Sequence, residues 1–263
     1  MKQRKLLTSL FLAAALSISL LTGCGNTGSS TSETKHTENS ATEEQTTSVQ
    51  KESETDENQD AADQLLCDLK GTYQELWPVI LADEYDQLWL DDSAAIVGED
   101  NAQAAVEKMS SMVTGTVTGE EAVETYKDGN MAYDCEFLQN IDQFTFDGTT
   151  ISGVDEEGND VFSHSYHYVG MEETRGLYIY ESDDADSGEF TYFCIAPDTM
   201  KTTWHIEFRY GSDLDALEKY DAGEYAYWLA AGISVDYTKA DVENCIQSVS
   251  YTHLRAHETL SDL

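Results

Sequence analysis

From residue 114 onward, apolar and polar side chains alternate in short runs that are typical of β-strands. Turn-forming pairs such as Asp128-Gly129 and Asp147-Gly148 separate these runs at regular intervals. The pattern predicts strands at 121–127, 131–138, 143–147, 149–154, 161–169, 176–182, 189–196 and 201–210. Short consecutive strands joined by tight turns favour an antiparallel meander, which we expect to close into a small barrel.

Helical periodicity flanks this β-rich segment on both sides. Asp100 can cap a helix before it, with an apolar face formed by Val106, Met109, Met112 and Val113. Ser212 can cap a short helix after it, whose apolar side carries Leu214, Leu217 and Tyr220. Thr238 and Asp241 have the spacing of a capping box, which predicts a final helix. The predicted fold class is therefore mainly β, an antiparallel β-barrel with flanking α-helices.

Residues 1–24 have the composition of an export signal, which we exclude from the fold. A basic start is followed by an apolar run that is short for a membrane span. The segment Leu21-Thr22-Gly23-Cys24 resembles the bacterial lipobox, which implies cleavage before Cys24 and a lipid on its sulfur. We therefore expect an extracytoplasmic protein that a lipid anchors to the bacterial cell membrane; a plain secreted protein is the alternative.

Composition limits the remaining function classes. Residues 25–62 are acidic and rich in Ser and Thr, so we predict a disordered tether. The whole chain has 51 acidic and 14 basic residues, a formal charge of −37, which argues against nucleic-acid binding. Four cysteines follow Cys24, an even number that allows two disulfides in an exported protein, although buried thiols fit equally well. They are Cys67, Cys135, Cys194 and Cys245.

The last residues differ in character from what precedes them. Residues 249–259 resemble the translation of a transposon-end sequencing adapter, a contaminant of assembled genomes. We therefore predict that the native domain occupies 63–248 and that 249–263 is an artefact. On this prediction His253 and His257, although spaced like helical metal ligands, have no role.

The candidate chemistry lies in the last predicted strand, where His205 and Glu207 are two residues apart. Residues i and i+2 of a strand share a face, so an imidazole and a carboxylate would stand side by side. Both groups are ordinary zinc ligands. The spacing predicts half of a metal site, which needs further donors.

The order of elements over residues 65–248 resembles the ZinT family, which are exported zinc-binding domains with a lipocalin-like (calycin) barrel. The same domain occurs at the C-terminus of AdcA-type zinc-transporter binding proteins. The similarity rests on Leu69 to Pro78, on Phe146-Asp147-Gly148, on the His205 strand with the following Gly211 to Leu217, and on Tyr225 to Ile246. It implies reversible zinc binding and delivery of the metal to an ABC-type transporter.

The departures from the family pattern concern the ligands. Best-known members use a His-x-His pair on this strand and one histidine nine residues before it. Here the pair reads His205-Ile206-Glu207, and the upstream position falls on Ala196, which cannot bind a metal. The resemblance therefore carries over one ligand, alters one and loses one.

Two histidines in the predicted strand 161–169 could complete the site. His164 and His167 should lie on opposite faces, so at most one can point towards His205. His164 has aromatic neighbours, as expected of a barrel interior, which favours it. Cys194 on the preceding strand is a further candidate donor. The predicted metal ligands are thus His205, Glu207 and one of His164 or His167.

Three function classes follow. The first is a lipid-anchored protein that binds zinc or another divalent metal and hands it to a transporter. The second is a lipocalin-like surface module that has lost the metal and binds a small ligand, a peptide or a protein. The third, an enzyme, is disfavoured because the sequence has no Gly-x-Ser-x-Gly elbow, phosphate-binding loop or His-Glu-x-x-His helix, although a spatial pair of catalytic carboxylates would leave no sequence motif.

Overall fold

The computed structural model describes residues 58–255, and within them eight antiparallel strands close into a barrel. The strands are β1 (Gly71–Glu75), β2 (Gln143–Asp147), β3 (Thr150–Val154), β4 (Asp160–Met171), β5 (Tyr178–Ser182), β6 (Tyr192–Ile195), β7 (Ile206–Gly211) and β8 (Ala230–Ser234). Each strand pairs with the next along the chain, and β8 pairs with β1 to close the ring. The predicted fold class, an antiparallel barrel with flanking helices, is confirmed.

The helices are α1 (58–68), α2 (Trp77–Ile80), α3 (Asp86–Val97), α4 (Glu99–Val113), α5 (Gly119–Tyr126), α6 (Leu214–Leu217) and α7 (Lys239–Arg255). Short 3-10 turns occupy Asp83–Tyr85 and Gly188–Phe190. Side chains of α3, α4 and α7, among them Trp89, Met109 and Ile246, form one apolar cluster with Ala231 and Ile233 of β8. The helices therefore cover the outer face of the barrel at β8.

Aromatic rings fill the inside of the barrel. β2 and β7 are not neighbours, so contacts between their side chains cross the interior. The ring centroid of Phe144 lies 5.1 Å from that of Phe208 and 5.1 Å from that of Tyr210. All three rings are buried, and edge-to-face packing at such distances stabilises a core. The interior is a packed core.

Two of the predicted strands are wrong. Residues 121–127 lie mostly in α5, where Glu120 and Glu121 occupy the first turn and interact favourably with the positive end of the helix dipole. Residues 131–138 are extended but join no ladder, apart from one isolated bridge of Asp134 to Trp228. Their backbone groups bond to Met112 and Gly115 at the end of α4 and to Tyr227, Leu229 and Ala231 near β8. Alternation over so few residues does not distinguish these outcomes from a strand.

Two strands, β1 and β8, were not predicted from the sequence. β1 lies in a segment whose apolar pattern resembles the helix before it, and β8 has the sequence Ala-Ala-Gly-Ile-Ser, which is poor in large β-forming residues. A Cβ at Gly232 would meet Ile206, Phe137 and Tyr73 at 3.2–3.3 Å. Small residues in β8 therefore allow the close packing with which β8 closes the barrel.

The capping box before α7 forms as predicted. The Thr238 backbone N–H donates to Oδ2 of Asp241 at 2.8 Å, and the Asp241 N–H donates to Oγ1 of Thr238 at 3.2 Å. The helix continues past Ser248, where we predicted the native domain to stop, and Val249 and Leu254 are buried among the other helices.

The lipobox with Cys24 and most of the predicted tether lie outside the described residues. Residues 58–62, which we assigned to the tether, are helical. The barrel belongs to the compact unit Ala62–Leu263. Within 58–255, no helix combines the length and the apolar character needed to cross a membrane.

Candidate metal centre

A tight turn, and not a strand, presents His205. The Thr199 carbonyl oxygen accepts hydrogen bonds of 3.0–3.1 Å from the backbone N–H groups of Thr202, Thr203 and Trp204. Trp204 takes a positive φ of 61°, and β7 begins only at Ile206. The predicted strand 201–210 is therefore wrong over 201–205, because the turn satisfies these backbone groups locally.

His205 and Glu207 lie together on the outside of the barrel. Phe208 points into the aromatic interior, so its neighbour Glu207 points outward by the alternation of the strand. α7 covers this place, since Sγ of Cys245 lies 3.8 Å from Nδ1 of His205. The side chain of His205 is 11% exposed and that of Glu207 is 32% exposed. The pair is thus shielded by a helix but open to solvent on the Glu207 side.

One hydrogen bond fixes the orientation of the His205 ring. Nδ1 lies 2.8 Å from the Thr203 carbonyl oxygen, which can only accept, so we assign the proton to Nδ1. Nε2 then faces Oε1 of Glu207 at 3.7 Å, a separation longer than a hydrogen bond. A backbone carbonyl on one ring nitrogen is a common way to orient the other nitrogen towards a metal.

The two groups stabilise each other's charge. Burial lowers the pKa of His205, but interactions with Cys245 and Glu207 outweigh burial and raise that pKa well above its ordinary value. Burial raises the pKa of Glu207, whereas the interaction with His205 lowers it, and the net pKa lies below its ordinary value. Without metal, the pair therefore favours an imidazolium and a carboxylate, and a metal ion must displace a proton.

Asp198 is a further carboxylate that interacts electrostatically with His205 and Glu207. The Ala196 backbone N–H donates to the Glu207 carbonyl oxygen at 2.9 Å, and Asp198 follows two residues later. Burial and the charge of Glu207 raise the pKa of Asp198, while the charge of His205 lowers it.

The four cysteines of the described residues are not paired with one another. Cys67, Cys135, Cys194 and Cys245 are all free, so the structure contains neither of the disulfides that the cysteine count allowed. Burial raises the pKa of Cys135, and it raises the pKa of Cys194 to about 12. Cys194 pairs with Arg209 in the β6–β7 ladder and not with Glu207. A buried thiol with a high pKa is a poor metal ligand.

α7 also brings His253 into electrostatic reach of Glu207. After burial and His205, the charge of His253 is among the smaller influences that lower the pKa of Glu207. His253 is half-buried on the part of α7 that follows Ser248. His253 lies in 249–263, which we predicted to be an artefact without a role.

His164 and His167 lie far from His205. The strand registers that relate them are Tyr166↔Ser182, Glu181↔Tyr192 and Tyr192↔Gly211. His164 therefore lies beyond the level of Gly211 at the end of β7, whereas His205 precedes the first residue of that strand. Since a strand rises by about 3.3 Å per residue, the length of β7 separates them by roughly 20 Å.

Each of these histidines has its own carboxylate partner. Nδ1 of His164 lies 2.8 Å from Oδ2 of Asp184, and Nδ1 of His167 lies 2.7 Å from Oδ1 of Asp183. The side chains of His164 and His167 are 18% and 53% exposed, consistent with opposite faces of β4. The structure thus joins His205 with Glu207 and does not bring His164 or His167 to them.

As the side chains stand, no group of three or more His, Cys, Asp or Glu residues within 58–255 is arranged to hold a metal ion. The observed arrangement is a pair, His205 and Glu207, with Asp198 close enough to influence both. Coordination would require at least one further donor to move inward.

No protein-family profile and no curated protein matches this chain. Among solved structures, it is similar to the Zn(II)-bound ZinT-like domain of Streptococcus pneumoniae AdcA, with 17% identity and a TM-score of 0.44 over 70% of this chain and 89% of that domain. It is also similar to Zn(II)-bound AdcA from Streptococcus pneumoniae, with 17% identity and a TM-score of 0.43, where it spans 35% of that longer chain. The first of these is the type of domain that the sequence resembles.

Proposed function

We propose that this protein binds a divalent metal ion, in the first place zinc, outside the cytoplasm and passes it to a membrane transporter. The observation that supports this most is the orientation of His205, whose Nδ1 is held by the Thr203 carbonyl while Nε2 faces Glu207 at 3.7 Å. Zinc binds nitrogen and oxygen ligands at about 2.0–2.2 Å, so two donors at tetrahedral angles lie roughly 3.4 Å apart. The pair needs only a small movement to reach that spacing.

The electrostatics of the chain agree with a cation as cargo. A formal charge of −37 attracts cations at long range and accelerates their capture. The proposed lipid on Cys24 would hold the domain beside transporters in the same membrane. Reversible binding by few protein ligands would suit a protein that must release its metal again.

Zinc titration by calorimetry tests the proposal. The full chain in detergent, stripped of metal with a chelator, should bind zinc, and His205→Ala should weaken binding by about 100-fold because the nitrogen ligand is lost. The matched control is His164→Ala, which also removes an imidazole beside a carboxylate, that of Asp184, and should leave the affinity unchanged. Absence of zinc binding, or equal binding by the His205 variant, would refute the proposal.

Anchoring and metal binding can be separated. Cys24→Ala should release the protein from the membrane fraction, because the lipid has no attachment point, and should leave zinc affinity unchanged. Recovery of the variant in the membrane fraction would contradict the proposed anchor without affecting the metal site.

A second function, a binding module without a metal, is favoured by one observation. A pocket of about 270 Å³ lies outside the barrel and is lined by Glu75, Trp77, Pro78, Val113 and Cys135, among others. Its volume lies just below the range of small-molecule sites, whereas the barrel interior is already filled by aromatic rings. A thermal-shift screen of small molecules against the metal-free protein separates the two functions. Stabilisation by an organic compound but not by zinc would support the second.

A further inference from the structure

We infer that the pocket outside the barrel is a binding site for a small organic cation, namely a protonated amine with an apolar body. This inference goes beyond metal binding, because neither His205 nor Glu207 lines the pocket. It names a ligand class for the second function and holds whether or not the protein also binds zinc.

Segments that are distant in the sequence build the walls of this pocket. They are the junction of β1 and α2 at 75–81, the end of α4 with the residues after it at 113–116, and the extended residues 135 and 136. The Gly115 N–H donates to the Tyr133 carbonyl at 2.9 Å, and the Phe137 N–H donates to Oε1 of Glu75 at 2.9 Å. Hydrogen bonds within the protein therefore join the walls, so the pocket is formed before any ligand binds.

A glycine allows the close contact between two of these walls. A Cβ atom at position 115 would lie 2.8 Å from the backbone carbon of Tyr133, which is closer than side chains tolerate. Residues 113–116 can therefore lie against residues 133–134 only because Gly115 has no side chain.

Glu75 determines the charge of the ligand. Its side chain is partly buried beside the pocket. Burial raises the pKa of Glu75, the hydrogen bond from Phe137 lowers it, and the charge of Glu136 raises it again, so that the net pKa lies above the ordinary value. No basic residue is among the described residues that line the pocket. A partly buried carboxylate without a counter-ion is stabilised when a cation binds beside it.

The other polar groups of the lining do not suit an anion. The indole N–H of Trp77 is buried, makes no regular hydrogen bond and interacts with the thiol of Cys135. The Thr114 hydroxyl donates to a backbone carbonyl of α4 at 2.9 Å. Neither donor is therefore directed at a ligand, whereas the carboxylates of Glu75 and the exposed Glu136 would repel an anion.

The size and the apolar part of the lining define the rest of the ligand. The pocket has a volume of about 270 Å³, and Trp77, Pro78, Leu81 and Val113 contribute apolar surface to it. One aromatic ring with a short aminoalkyl chain fits these conditions. Its ring can pack on the apolar residues while its ammonium group pairs with Glu75.

Calorimetry with tyramine tests the inference, using the full chain in detergent with a chelator present. We expect a dissociation constant of about 1 mM, an ordinary affinity for so small a ligand. The anion hydroxyphenylpropionate has the same ring with a carboxylate in place of the amine. It should not bind at about 10 mM, because Glu75 repels it.

Glu75→Gln tests the residue that selects the cation. Glutamine keeps an oxygen that can accept from Phe137 but removes the charge, so tyramine affinity should fall by about tenfold or more while zinc affinity is unchanged. Glu156→Gln removes an exposed carboxylate from the turn after β3. It is the matched control and should stay within about twofold of the wild type, because solvent and salt screen exposed charges.

Three results would overturn the inference: no binding of tyramine by the wild type, equal binding of the anion, or equal binding of tyramine by the two variants. If Glu75→Gln does not fold, the NMR signal of the Trp77 indole N–H, assigned with Trp77→Phe, decides instead. A signal that tyramine leaves unchanged would overturn the inference. His205→Ala should bind tyramine like the wild type, so failure of zinc binding and failure of tyramine binding are distinguishable.

Discussion

Two regions of this protein place a histidine beside a carboxylate, and they differ in what the imidazole can still do. At the β4–β5 end, His164 and His167 form direct hydrogen bonds of 2.8 and 2.7 Å with Asp184 and Asp183. Near β7, His205 and Glu207 stand 3.7 Å apart, and a backbone carbonyl holds the other ring nitrogen. The first region consists of satisfied pairs, whereas the second leaves a space between two donors.

The difference shows why residue type alone does not identify a metal site. His164 and His167 lie on opposite faces of one strand, so each has only its own acidic partner. His205 has Glu207 on one side and Asp198 in electrostatic contact through the same turn. A metal requires several donors around one point, and the second region provides two that face each other at 3.7 Å.

The largest expected difference in zinc affinity is between variants of two carboxylates, Glu207 near β7 and Asp184 at the β4–β5 end. Glu207→Gln should weaken zinc binding by about 30-fold, because it removes an anionic ligand. Asp184→Asn removes an equivalent carboxylate from the other region and should change zinc affinity by less than about twofold. Calorimetric titration of both variants measures this ratio. Similar losses in the two variants would mean that the comparison is wrong.

Acidification should weaken zinc binding at His205. Its pKa is raised well above the ordinary value, so below that raised pKa a proton occupies the site and zinc must displace it. Affinity should therefore increase with pH, by about tenfold per unit, until the raised pKa is passed. Titrations between pH 6 and pH 8 in buffers with different ionisation enthalpies also count the released protons. An affinity that is independent of pH would exclude His205 as a ligand.

Glu207→His should increase zinc affinity, in contrast to the loss expected for Glu207→Gln. A second imidazole restores the His-x-His pair of the family that the sequence resembles, and loss of the Glu207 charge lowers the pKa of His205, which reduces competition by protons. We expect zinc affinity to rise by about fivefold. Competition against a chelating dye measures it, with Asp184→His as the control, which should show no gain.

The smallest effects concern stability. Asp183→Asn and Asp184→Asn each remove an ion pair with at least one exposed partner. The free energy of unfolding in urea should change by less than about 0.5 kcal/mol, because solvent screens such pairs. A loss several times larger would show that these histidines anchor the barrel end.

The alternation of apolar and polar residues predicted strands correctly where they are long or closely bounded by turns. The ranges 143–147 and 149–154 correspond to β2 and β3, because the Asp147-Gly148 turn fixes both the loop and the alternation. It failed at 121–127, where a short alternating run belongs to α5, and it missed the small residues of β8. The structures of 121–127 and of β8 depend on what these segments pack against. The periodicity of the sequence carries no information about those contacts.

The sequence by itself determined the antiparallel meander of β2 to β7, the capping box of α7 and the spacing that places Glu207 beside His205, because each depends on residues close together in the chain. Tertiary structure alone decided that α7 covers the pair, that Asp198 belongs to its surroundings, and that His164 and His167 lie at the other end. Those relations depend on strand register and on the turn at Thr199, which set distances between residues that no local spacing encodes.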